Sequence, residues 1–144
     1  MVKEIIKRIL FLFGFILFLS CSNNSKISAF IKKTNKNSVE LQEFVTSKID
    51  CIYIFGEYTD DNDISEIIGS KYESPIIHDS QYLLLILSNK EVVYSEIFNE
   101  KEFEFSRSNV KIFNGINYRK YSSSTFKILK LSNNIKRLIP VDNG

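Results

Sequence analysis

This sequence of 144 residues lacks most of the features that identify a function directly. Two cysteines and a single histidine, His78, are too few for an ordinary zinc site, which takes about four such ligands. No Gly-x-Ser-x-Gly motif is present to hold a serine on a strained turn, and no repeat recurs at a fixed period. The longest apolar segment, residues 9–19, is shorter than the roughly 20 residues that span a bilayer as a helix.

The first residues that are informative form the three parts of a secretory signal. Three basic residues within positions 3–8 precede the apolar segment 9–19, and Ser20 follows it directly before Cys21. A basic region, a short apolar region and a small residue before the cleavage point define such signals. We therefore expect residues 1–20 to be removed as a signal peptide.

The end of this signal, Phe18-Leu19-Ser20-Cys21, resembles the lipobox of signal peptidase II substrates, in which a Leu and two small residues precede an invariant cysteine. Ser20 and Cys21 match that pattern, whereas Phe18 replaces the usual Leu and Leu19 is larger than the usual small residue. The resemblance implies a bacterial lipoprotein precursor with diacylglycerol on the Cys21 sulfur and a further acyl chain, such as palmitate, on its amine. Several acyl chains hold a protein stably at a membrane.

Two other interpretations of the leader stay open: an ordinary secreted protein in which Cys21 is unmodified, and a buried core helix. The lipoprotein interpretation is preferred because it accounts for both the signal and the cysteine. Some lipoproteins carry Asp directly after the acylated cysteine. This chain has Ser22 at that position, and in this respect it resembles lipoproteins that are sorted to an outer membrane. The expected location is the bacterial cell envelope, with attachment through lipid on Cys21 and with the outer membrane favoured if the host has one.

The charge of the mature chain differs from that of the precursor. Removal of residues 1–20 would leave 16 basic and 16 acidic residues, so the net charge of +2 belongs to the leader. The composition therefore gives no support to a nucleic-acid partner. Lipidation of Cys21 would leave Cys51 as the only free thiol, which rules out an intramolecular disulfide.

Charge is nevertheless segregated along the chain. Residues 40–104 contain 15 acids and 4 bases, and residues 107–144 contain 8 bases and 1 acid. One interpretation makes the basic segment 118–121 a patch for anionic lipid headgroups or nucleic acid. The preferred interpretation is that acidic and basic strands lie side by side and neutralise one another. We expect an envelope protein as a partner and no nucleic acid.

We expect the chain to divide into four parts: a signal peptide at residues 1–20, a lipidated cysteine with a polar tether at 21–37, an α+β domain at 38–139 and a C-terminal tail at 140–144. Within the tether, Ile27, Phe30 and Ile31 recur at helical spacing, so a short amphipathic helix competes with a flexible basic arm. A second helix is predicted from the cap residue Ser38 through Leu41 to Ile49. A third is predicted between the acids at 60–63 and Gly69.

The remaining pattern is typical of strands. Residues 51–55 are apolar on both faces and predict the centre of a sheet, and closely spaced strands are expected from Tyr82 to Leu131 as an antiparallel meander. Asn114-Gly115 is a strong hairpin signal. The C-terminal residues 133–144 are expected to fray. The fold class is α+β, a single small domain of two or three helices packed on a mainly antiparallel sheet of about five or six strands.

The candidate catalytic residues are few. His78, Asp79 and Ser80 are adjacent in sequence, whereas the members of a catalytic triad converge from separate parts of a fold. Cys51 begins an apolar strand, where burial would suppress the thiolate that a nucleophile needs. A small envelope hydrolase using His78 with Asp79, Ser80 or Glu57 is therefore the alternative interpretation, and an ordinary loop histidine is preferred.

The acids at 60–63 do not fit a calcium loop. From Asp60 the fifth position is Ile64 and the sixth is Ser65, where an EF-hand needs an oxygen ligand and a glycine. Helix capping explains the same residues. We expect no metal and no cofactor.

The loop after the predicted central strand is the best binding candidate. Glu57, Tyr58 and Thr59 follow that strand, and loops held by a rigid sheet commonly carry binding residues. Residues 38–105, and residues 53–59 in particular, resemble uncharacterised small bacterial lipoproteins with a similar aromatic-Gly-x-Tyr-Thr turn, which implies no activity. The expected role is non-catalytic binding or protein interaction.

Overall fold

The structure, a computed structural model, describes residues 26–141, which form one small α+β domain. Its helices are α1 (Ile27–Lys33) and α2 (Asp61–Ile68), with a 3-10 turn at Leu41–Phe44. Its strands are β1 (Ser38–Glu40), β2 (Cys51–Phe55), β3 (Gln81–Ser88), β4 (Glu91–Asn99), β5 (Phe103–Phe105), β6 (Val110–Phe113), β7 (Ile116–Tyr121), β8 (Thr125–Lys130) and β9 (Lys136–Pro140). No helix within these residues is both long enough and apolar enough to cross a membrane.

The strands form two sheets, where a single sheet of five or six strands was predicted. The five-stranded sheet has the order β4-β3-β2-β7-β6, and the four-stranded sheet has the order β1-β8-β9-β5. Every pairing is antiparallel except β5 with β9. The predicted meander is wrong at three points, because the chain changes sheet after β4, after β5 and after β7.

The central strands β2 and β3 of the five-stranded sheet are buried on both faces. Successive side chains of a strand point in opposite directions, so these strands contact two different cores. Ile52 and Ile54 of β2 face the core between the two sheets, and Tyr53 and Phe55 face a second core beneath α2. The central position of β2, paired with β3 and β7, is as predicted. The molecule therefore has three layers: sheet, sheet, and α2 with the segment 70–80.

Helix α1 corrects the extent of the predicted tether. Ile27 and Ile31 are fully buried in the core between the sheets, so the folded domain begins at least eleven residues before Ser38. The Lys136 amine reaches α1 from β9 and donates to the carbonyls of Ile31 at 2.5 Å and Thr34 at 2.6 Å. This amine satisfies carbonyls that the helix leaves unpaired at its C-terminus.

The predicted helix from Ser38 to Ile49 is wrong. Ser38 begins β1, which pairs with β8, and only the short 3-10 turn follows. The Gln42 side chain bonds the Val45 carbonyl at 3.3 Å and the Ile49 amide at 3.0 Å. In a helix the backbone groups would bond to one another, whereas here the Gln42 side chain bonds to the backbone of an irregular segment. The pairing of β1 with β8 outweighs the weak helical periodicity of this segment.

Of two further predictions, one on a helix is confirmed and one on the C-terminal residues is wrong in part. The helix after the acidic run is confirmed, since the Asp60 carboxylate accepts from the Asp63 amide at 2.9 Å and Gly69 has the left-handed φ of 77°. The fraying expected for residues 133–144 is wrong over Lys136–Pro140, because this segment forms β9 and lies between β8 and β5.

The turn at Asn114-Gly115 gives a stability prediction. Asn114 and Gly115 have φ values of 49° and 80°, as a two-residue hairpin turn requires. Gly115→Ala meets no atom within 4 Å, so its expected cost of about 1 kcal/mol in free energy of unfolding comes from backbone strain alone. Urea denaturation measures this cost. In Gly56→Ala the added carbon makes an ordinary 3.9 Å contact with Tyr82, so this control should lose less stability than Gly115→Ala.

Candidate functional site

A cleft lies at one end of the five-stranded sheet. It has a volume of 730 Å³, and its lining comes from the ends of β2, β3, β4, β6 and β7 together with the segment before β6. The polar and aromatic side chains in the lining are Glu57, Tyr58, Thr59, Ser80, Tyr82, Glu100, Arg107, Asn117, Tyr118 and Arg119. Because these residues come from distant parts of the chain, the cleft exists only in the folded domain.

The predicted binding loop forms one part of this cleft. The Thr59 hydroxyl donates to the Gly56 carbonyl at 2.9 Å, and the Tyr58 amide donates to the Ile77 carbonyl at 3.3 Å. These bonds hold Tyr58 at a φ of 63° with 73% of its surface exposed. A tyrosine in the left-handed region is uncommon, and such residues occur preferentially at ligand sites.

The loop is tied to the segment that precedes β3. The Glu57 carboxylate accepts from the Ser80 amide at 2.9 Å. The Tyr58 hydroxyl donates to the Asp79 carboxylate. The structure therefore brings Glu57, Tyr58 and Thr59 together in one cleft, with Ser80 beside them.

Arg119 is a further residue of the cleft. From the sequence it could be assigned only to the basic segment 118–121, with no position in the fold. It lies on β7 opposite Ile54, and its guanidinium donates to the Phe105 carbonyl at 2.7 Å. The same guanidinium lies 5.2 Å from the centre of the Tyr82 ring, within cation–π range. These contacts fix the position of a positive charge at the end of the five-stranded sheet that forms the cleft.

Within residues 26–141, one ion pair joins the acidic segment to the basic segment, as the preferred interpretation of the charge pattern predicts. Arg137 of β9 pairs with Glu104 of β5 at 2.5 Å, which joins the two segments across neighbouring strands. None of the three ion pairs found within residues 26–141 involves Arg107 or Arg119. Both arginines line the cleft without a carboxylate partner in an ion pair among these residues.

The candidate catalytic residues have other partners. His78 lies on an exposed loop, and the hydrogen bonds at Asp79 and Glu57 come from the Tyr58 hydroxyl and the Ser80 amide. Within residues 26–141 no hydrogen bond joins the His78 ring to either carboxylate or to the Ser80 hydroxyl. The hydrolase interpretation thus gains no geometric support from this part of the chain.

Cys51 lies partly buried on β2, and burial raises the pKa of its thiol above the ordinary value. A raised pKa lowers the thiolate fraction at neutral pH. Within the described range, no group of three or more His, Cys, Asp or Glu side chains is arranged to hold a metal ion. The Asp61 carboxylate instead accepts from the Ser74 amide at 2.8 Å.

Cys21, the predicted lipidation site, lies outside the described residues. Comparison with protein-family models, with curated proteins and with solved structures gives no match to the chain. The chemistry of the cleft therefore carries the functional argument.

Proposed function

We propose that this protein is a lipid-anchored lipoprotein of the bacterial cell envelope that binds an envelope partner, without catalysis, in the cleft around Glu57, Tyr58 and Thr59. The observation that carries the proposal is the convergence of this loop with Arg107 and Arg119 on one 730 Å³ cleft. Concave sites with a few fixed polar groups and aromatic rings are the usual form of a binding site.

The anchor limits where such a partner can be. Because α1 packs into the core from Ile27, the tether between lipid and fold is the short segment 22–26. Six residue steps from Cys21 to Ile27 span at most roughly 20 Å. The proposed lipid would therefore keep the cleft within a few tens of ångströms of the membrane, so a component of the same envelope is the partner in reach.

The side chains of the cleft suit binding better than turnover. Tyr82 and Arg119 stack on one another, and Glu57 is occupied by the Ser80 amide. These contacts fix side chains in place, which lowers the entropy lost when a ligand binds. A general base would instead need a position from which it can exchange a proton with a substrate.

We expect crosslinking in intact cells to locate the binding surface. A photoreactive phenylalanine analogue in place of Tyr58 should form a discrete protein adduct, because this side chain is exposed at the cleft. The matched control is the same analogue at Leu129, which is 46% exposed on the four-stranded sheet and does not line the cleft. The adduct is read by its mass on a denaturing gel and identified by mass spectrometry.

Adducts of equal yield from both positions would show non-specific proximity and would contradict a binding site at the cleft. The hydrolase alternative has its own readout, since turnover of an ester or peptide substrate that His78→Ala abolishes would replace the binding proposal.

A further inference from the structure

Strand β6 is an outer edge of the five-stranded sheet, and no strand within residues 26–141 pairs with its outward side. It pairs with β7 through the register Val110–Arg119, Lys111–Tyr118, Ile112–Asn117 and Phe113–Ile116. Hydrogen-bonded and non-hydrogen-bonded pairs alternate along an antiparallel ladder, and the pair that closes a two-residue turn is hydrogen-bonded. The backbone groups of Phe113 and Lys111 therefore point to β7, and those of Val110 and Ile112 point outward.

The same two residues expose apolar side chains. Val110 is 50% exposed and Ile112 is 73% exposed, and both project from one face of β6. An edge strand with outward backbone groups and exposed apolar side chains is a template for another strand. We call residues Val110–Phe113, with this free side, the β6 edge.

The other three sheet edges are better protected. Strands β1 and β5 have three residues each, and their inward apolar side chains, such as Val39 and Phe103, are buried. Strand β4 has a bulge at Val93, where its register with β3 shifts, and α1 lies against one face of the strand through the Tyr94 and Glu96 side chains. Bulges and covering segments are the usual ways in which proteins block an edge.

The charged residues within and directly before the β6 edge are basic, whereas the cleft beyond the edge also contains Glu57 and Glu100. No Asp or Glu occurs between Glu104 and Asp142 in the sequence. Arg107 precedes the strand, Lys111 lies within it, and neither belongs to any of the ion pairs of residues 26–141. A strand that added here would be stabilised by acidic side chains opposite Lys111 and by apolar side chains opposite Val110 and Ile112.

We infer that the β6 edge binds an extended peptide segment of alternating apolar and acidic residues, which adds as an antiparallel strand and enters the cleft past Val110 and Arg107. The inference rests on the proposed binding function and specifies its ligand class. Val110 and Arg107 also line the cleft, so the edge and the cleft form one continuous surface. Strand addition takes affinity from backbone hydrogen bonds and specificity from alternate side chains.

Peptide binding to the full chain, purified in a non-ionic detergent, tests this inference. The probe is a fluorescent seven-residue peptide, Glu-Val-Glu-Val-Glu-Val-Glu, followed by fluorescence anisotropy at low salt. We expect saturable binding, and binding weaker by about tenfold or more for the peptide with Lys in place of Glu. Methylation of the valine amides should abolish binding because these amides would face β6, whereas methylation of the glutamate amides should be tolerated.

Variants of the protein give a second readout. Ile112→Pro removes an outward amide at a position where an edge strand tolerates proline, and it should weaken binding by about tenfold. Lys111→Glu should weaken binding by about fivefold through like-charge repulsion. Its matched control, Lys127→Glu, changes an exposed lysine on β8 and should leave the affinity unchanged.

Equal binding of the acidic and basic peptides, or tolerance of methylated valine amides, would overturn the inference. So would a lack of peptide binding combined with Lys111-dependent binding of phosphatidylglycerol vesicles, because the edge would then serve a membrane surface. If the peptide fails to bind while Tyr58 still forms its adduct in cells, the ligand class is wrong and the binding function stands. If neither is seen, both proposals fail.

Discussion

Phe105→Ala should lower the free energy of unfolding by about 3 to 5 kcal/mol, the usual cost of removing a buried aromatic ring from a core. Phe105 is 1% exposed and belongs to the core between the two sheets. Its ring centroid lies within 6.0 Å of those of four aromatic residues, Phe98, Phe103, Tyr121 and Phe126. A single domain of this size has a total stability of only about 5 to 15 kcal/mol, so the variant should unfold at a far lower urea concentration.

The control for this prediction is Ile112→Ala, which removes apolar atoms from an exposed strand. With 73% of its surface exposed, Ile112 should change the free energy of unfolding by no more than about 0.5 kcal/mol. Equal destabilisation by the two variants would contradict the two-sheet core described above.

Glu96→Ala should destabilise the attachment of α1 to the domain by about 2 to 4 kcal/mol. The Glu96 carboxylate is 7% exposed and accepts hydrogen bonds from the Ser28 hydroxyl and from the Tyr94 hydroxyl, the latter at 2.7 Å. Alanine would leave both hydroxyls without their acceptor in a site that water reaches poorly. Hydrogen exchange should accelerate most at α1 and least at β2.

Tyr94 gives this contact a defined chemistry. Burial and the neighbouring Glu96 carboxylate raise the pKa of Tyr94, so its hydroxyl stays protonated and keeps donating as the pH rises through the ordinary range of tyrosine. The Tyr94 hydroxyl oxygen also accepts a hydrogen bond from the Ile27 amide at 3.1 Å. Glu96→Gln keeps one acceptor oxygen and should cost about half as much as alanine. Uniform faster exchange over the whole domain would mean that Glu96 acts on the global fold and not on α1.

The elements that could be predicted from the sequence are those with strong local signals. The apolar run of β2 identified the central strand, because only a strand covered on both faces carries no polar side. Asp60 and Gly69 identified the ends of α2, because each satisfies groups that a helix leaves unpaired. Asn114 and Gly115 identified a turn with φ above zero.

The errors arose where tertiary contacts decide the outcome. Ser38 was assigned to a helix cap, but pairing with Lys127 makes it a strand residue. The division of the strands into two sheets is not encoded in local alternation, since β4 and β5 show the same pattern in either arrangement. Helix α1 depends on Glu96 and Lys136, which lie far from it in the sequence.

The candidate site could be predicted from the sequence only in part. Glu57, Tyr58 and Thr59 follow the central strand, so a loop at the edge of the sheet could be expected there. Arg119 could be recognised only as one of several bases, because its place in the cleft follows from the pairing of β7 with β2. Arg107 lies in an irregular segment that gives no periodic signal at all.

Lipid attachment at Cys21 is the central proposal, since it would determine where the cleft operates and which partners it meets. The most direct measurement is mass spectrometry of the N-terminal peptide from the membrane-extracted protein, alongside fractionation of the Cys21→Ala variant. We expect the wild-type peptide to begin at Cys21 and to carry diacylglycerol and a further acyl chain, and the variant to keep the mass of the precursor without lipid. An unmodified Cys21 in the wild type, or a wild type and variant that partition identically with no difference in lipid mass, would contradict the account.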